Sequence, residues 1–177
     1  MRALLLACTI AAFASPALAG QTRFYGYVAE SETARSLTGD LTLVFDDGLF
    51  ADRPERLHLS GGRVVELDRA GALGDRVGDV PLSRLVPDAP ELYAYPVTAG
   101  KDAGLAAVAC EGDASALSVA LSRPKRNRPL TLALIGRDAS GAPTLCAALT
   151  YRYRGEWSAP SSRRGSPESD GVRDPRR

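Results

Sequence analysis

Short runs of alternating apolar and polar side chains, each closed by a turn signal, constrain this chain more than any other feature. A strand sends successive side chains to opposite faces, so period two marks a half-buried strand. The clearest run is Leu149-Thr150-Tyr151-Arg152-Tyr153-Arg154, apolar and aromatic on one face, hydroxylic and cationic on the other. Leu41, Leu43 and Phe45 alternate with Thr42 and Val44, and Leu130, Leu132 and Leu134 with Thr131 and Ala133. Leu117, Val119 and Leu121 repeat the pattern. Arg23 to Val28 adds a strand with Phe24 and Val28 on one face and Tyr25 and Tyr27 on the other. Turn-forming stretches separate the runs at Asp46-Asp47-Gly48, Arg123 to Pro129 and Asp138 to Pro143. The expectation is an all-β fold, an antiparallel sandwich or barrel of short strands with little helix.

Leu57 to Leu67 reads as a hairpin about Ser60-Gly61-Gly62. A two-residue loop would pair Leu57 with Glu66 and put an acid on the leucine face. A three-residue loop pairs Leu57 with Val65 and keeps that face apolar, so it is expected, with a glycine in the left-handed region. Asp68 to Pro90 has weak periodicity and reads as long connections holding one short strand or turn. Glu30 to Leu37 and Ala103 to Ala109 are the helix candidates; the second leads into Cys110, and strand is the preferred reading there.

Met1 to Ala19 reads as a secretory signal. Arg2 supplies the basic region, Ala3 to Phe13 the apolar core, and Ala17-Leu18-Ala19 an A-x-A site, with cleavage between Ala19 and Gly20. The apolar run is too short to span a bilayer, and no run of about 20 apolar residues follows. Leu5-Leu6-Ala7-Cys8 loosely resembles a lipid-attachment box, but too few residues precede Cys8 to form an apolar core before it. Removing the signal leaves two cysteines, Cys110 and Cys146, in a secreted or periplasmic chain. A disulfide between them is the expectation.

Length fits one β domain, residues 20–157. It holds sixteen basic and eighteen acidic side chains, a net of −2, so no global field favours nucleic acid. Residues 158–177, SAPSSRRGSPESDGVRDPRR, lack the apolar surface to offset ordering entropy and read as a disordered tail.

Candidates for chemistry are few. His58, the only histidine, lies between Leu57 and Leu59 on the opposite strand face. A catalytic role needs a nucleophile and an orienting acid beside it, and Ser60 sits at a turn. With one histidine and paired cysteines a zinc site would be mostly carboxylate. Asp68, Asp75 and Asp79 are spaced with glycines, as are Asp46, Asp47 and Asp52, but match no calcium loop. No phosphate-cradling glycine motif is present, and no cofactor is expected. Arg123, Lys125, Arg126 and Arg128 put four cations in one inter-strand loop, a possible anion-binding loop. Without interleaved aromatics, base stacking is not expected there. Tyr25, Tyr27, Tyr93, Tyr95 and Trp157 are either an aromatic patch or half-buried face residues.

Together these point to an exported, non-enzymatic binding or structural protein whose partner is an envelope component or another exported protein. The alternatives are a small secreted hydrolase using carboxylates, or a protein inhibitor of an exported enzyme.

Overall fold

The computed structural model describes residues 21–45, 53–68, 74–102, 104–110 and 117–160. The signal with its Ala19–Gly20 site, the Asp46, Asp47 and Asp52 cluster, and tail residues 161–177 lie outside the described residues.

In chain order the elements are β1 (Gln21–Ala29), α1 (Glu32–Leu37), β2 (Leu41–Phe45), β3 (Arg56–Leu59), β4 (Val64–Glu66), β5 (Arg76–Val77) and β6 (Val80–Pro81). There follow α2 (Leu82–Leu85), β7 (Leu92–Pro96), α3 (Leu105–Ala109), β8 (Ser118–Ser122), β9 (Leu130–Arg137) and β10 (Pro143–Pro160). The fold is all-β. Eight strands form one antiparallel sheet in the order β4-β3-β2-β1-β10-β9-β8-β7, curled into a half-barrel. Of the two architectures expected, this is the barrel-like one. The edges of the sheet meet at a single antiparallel bridge, Leu67 with Val97. Around it the Asp68 N–H donates to the Pro96 carbonyl (2.8 Å) and the Thr98 N–H to the Glu66 carbonyl (2.9 Å).

The inner face carries the alternating residues read from the sequence. Tyr27, Leu41, Leu43, Leu57, Val119, Leu121, Leu130, Leu132, Leu134, Leu149 and Tyr151 are all buried in one cluster. The hairpin takes the three-residue loop: the Leu59 N–H donates to the Arg63 carbonyl, Leu57 faces Val65, and Gly61 and Gly62 both have positive φ.

α1 and α3 pack together across one end of the sheet. Ser31 caps α1, its Oγ accepting from the Ala34 N–H and from the Thr150 N–H of β10, both at 3.2 Å. Behind the helix the buried hydroxyls of Thr38 and Tyr151 meet at 2.6 Å.

Three readings need correction. Ala103 to Ala109 was expected to be strand, but Leu105–Ala109 is helix. The Asp102 carboxylate accepts from the Gly104 and Ala106 N–H groups, alanine favours helix, and burial of Leu105 and Ala106 anchors one side. The segment 68–90 also does more than connect. β5, β6 and α2 bring Val77, Leu82 and Val86 over the outer face of β7, β8 and β9, where Leu92, Ala94, Ala120, Ala133 and Ile135 form a second buried cluster. Ser158, Ala159 and Pro160, placed in the tail by composition, continue β10 opposite β1.

Cys110, just after α3, is disulfide-bonded to Cys146, with Cα atoms 4.7 Å apart. Cys146 is the extra residue of a bulge between Leu145 and Ala147, so the bond ties the helical end to β10 where its ladder with β9 is interrupted.

Candidate binding face on the outer sheet

The outer face has two halves. The β7–β9 half lies under β5, β6 and α2. On the β2–β1–β10 half Val44 is buried, but Phe24, Thr42, Gly155 and Trp157 keep part of their surface, and Gly26 lies beneath the indole.

A second bulge makes this face. Tyr27 of β1 faces Tyr153, Gly26 faces Gly155, and Arg154 is left over. Strict alternation from Leu149, Tyr151 and Tyr153 would carry Trp157 inward. The extra residue reverses the phase, so Glu156 faces inward opposite Tyr25, and Trp157 faces outward opposite Phe24. The Phe24 and Trp157 rings stack 5.6 Å apart at 6°. The indole also leans over Gly26: a Cβ there would lie 2.9 Å from Trp157 Cζ3. Trp157 remains 48% exposed.

Beside the indole lies an open depression of about 510 Å³. Its floor is Gly26, Gly155 and Thr42, successive partners across β10, β1 and β2. Its lining also includes Asp40 and Arg154, whose Oδ2 and Nη1 are 3.8 Å apart with both side chains solvent-accessible. Asp40 is fixed by its second oxygen, which accepts from the Ala29 N–H at 3.1 Å. Two depressions of about 320 Å³ lie elsewhere, one beside α2 and one beside β5.

The residues singled out in the sequence fall as follows. Tyr25, Tyr27 and Tyr95 are buried and Tyr93 half-buried, so the five aromatics do not form one surface patch. Tyr25 instead packs with Phe45 (4.9 Å between centroids) and edge-on to Tyr153 (6.1 Å). Burial pushes the Tyr95 hydroxyl and the Tyr151 hydroxyl each up to about 12. In the cationic loop Arg123, Lys125, Arg126 and Arg128 are exposed. Arg126 donates to Glu156 at 2.8 Å, and that hydrogen bond and the Glu156 charge hold its guanidinium well above its ordinary pKa. The loop is thus latched to β10 through one of its four cations. Among the described residues, no group of three or more His, Cys, Asp or Glu is placed to hold a metal; Asp75 and Asp79 are exposed.

His58 lies on the outer face of β3 opposite Thr42. Its Nε2 is buried without a hydrogen-bond partner among the described residues. Desolvation, and then the Arg56 charge, lower its pKa below 6.5. The unfolded chain therefore binds this proton more readily than the folded one. Stability is full above about pH 6.5 and falls as pH drops through that value towards the folded pKa. In denaturant titrations between pH 7.5 and 5, wild type should lose more midpoint than His58→Gln. Parallel curves would show the shift to be absent.

No family model, no curated protein and no solved structure matches this chain.

Proposed function

We propose that this is an exported binding protein that holds an envelope component or another exported protein on the outer face of β2, β1 and β10. The observation carrying this reading is Trp157. A bulge turns the indole outward, a stacked phenyl ring supports it, and the glycine beneath it leaves room for it. A side chain held rigidly at the surface loses little conformational freedom on binding, which favours aromatic anchors in interfaces. The intrachain disulfide, with no helix long and apolar enough to cross a membrane among the described residues, accords with a secreted or periplasmic location.

The test is retention of envelope-extract components on immobilised mature protein, comparing wild type with Trp157→Ala. Loss of an exposed aromatic anchor of about 2 kcal/mol weakens retention roughly thirtyfold. Unchanged denaturation midpoints would confirm that the variant is folded. Equal retention by the two proteins would remove this face as the binding surface.

A further inference from the structure

We infer that the Trp157 depression takes a neutral saccharide, an inference that rests on the binding reading above. The indole, the Asp40–Arg154 pair and the shape of the depression converge on that chemistry. The indole offers a flat apolar surface suited to the C–H face of a pyranose ring. Asp40 and Arg154, 3.8 Å apart on the depression wall, offer a carboxylate acceptor and a guanidinium donor side by side. A hydroxyl group donates and accepts at once, so adjacent sugar hydroxyls can engage both. The pair is also charge-balanced. A free anion would meet the Asp40 carboxylate, and a cation the Arg154 guanidinium, whereas a polyol meets neither penalty.

Shape agrees. Gly155 carries no side chain and has open space above it, so beside the indole, which occupies the place over Gly26, a ring can approach the backbone closely. A volume of about 510 Å³ falls within the range of small-ligand sites, roughly 300–1,000 Å³. Asp40 is preorganised by its bond to the Ala29 N–H, and the indole by Phe24 and Gly26. Both reduce the ordering cost of binding.

Trp157 is the only tryptophan in the chain, so its emission reports this site alone. The oxidised mature protein would be titrated with cellotetraose, chitotetraose and maltotetraose, and separately with sodium phosphate. The expected result is a saturable emission change with at least one oligosaccharide and none with phosphate. Arg154→Gln, which removes one charge-assisted donor, weakens that binding about tenfold. Gly26→Ala, whose Cβ would displace the indole, weakens it comparably while keeping Trp157 in the chain as the emission reporter. Denaturation midpoints separate either effect from unfolding. A response to phosphate alone would overturn the saccharide assignment in favour of an anion on Arg154. No response to any probe, with retention of envelope components still dependent on Trp157, would overturn the saccharide assignment and leave the binding reading standing. No response and no Trp157-dependent retention would end both.

Discussion

Replacing Cys110 and Cys146 together by serine lowers the free energy of unfolding by about 3–4 kcal/mol. The two residues are 36 apart in sequence. The chain-entropy treatment of a closed loop of that size gives this magnitude, through the restriction the bond places on the unfolded chain. The native geometry adds a second reason. The bond holds the end of α3 against the sheet at a point where the β9–β10 ladder is interrupted, so a severed bond leaves burial of Leu105 and Ala106 to hold that corner. A single domain has only about 5–15 kcal/mol in total, so the loss is a large share. Guanidinium titrations of wild type and the double serine variant measure it directly. A difference under about 1 kcal/mol would mean the loop is already restrained when the bond is absent.

Leu43→Ala should cost a comparable amount, about 2–5 kcal/mol, while its neighbour Thr42→Ala costs no more than about 1 kcal/mol. Leu43 is fully buried in the inner cluster, with Tyr25 and Leu57 directly opposite on the flanking strands. Truncation there removes apolar contact and leaves a cavity that a curled sheet, constrained by ladders on both sides, cannot collapse. Thr42 points to the other face, onto the open depression, where its loss removes only strand-surface contacts. The contrast between adjacent residues tests the register directly. Similar costs at both positions would place β2 the wrong way round.

The inner face was legible in the sequence because period two is the geometry of a strand, and Leu41, Leu43, Leu132, Leu134, Leu149 and Tyr151 kept it. The hairpin register was legible for the same reason: only one loop length kept Glu66 off the leucine face. What escaped is where one residue breaks the count. Arg154 and Cys146 each add a residue to one strand of a pair, and a bulge leaves no mark in an alternation pattern. Trp157, two residues on from Gly155, therefore reads as a continuation of the Tyr151 and Tyr153 face, when it lies on the opposite one. A signal did exist for the covered half of the outer face. Ala94, Ala120 and Ala133 occupy outward positions that water-facing strands would fill with polar groups, and that points to a covering layer. It was missed because Arg76-Val77 and Val80-Pro81 are too short to show periodicity, and α2 is only one turn.

The pairing of β1 with β10 has a consequence in time. When a chain is made and delivered N-terminus first, β1 is the first of the described strands to emerge and β10 the last. Until β10 arrives, β1 has β2 on one flank and an open edge on the other, and pairing across so long a separation is slow to form. The depression has the same history. Its floor joins Gly26 and Thr42 from the beginning of the sheet to Gly155 from the end, and Phe24 gains its stacking partner only with Trp157. A molecule that lacks β10 has no such surface to offer. The face exists only where β1 and β10 have paired, so binding there would select for molecules in which the sheet has formed.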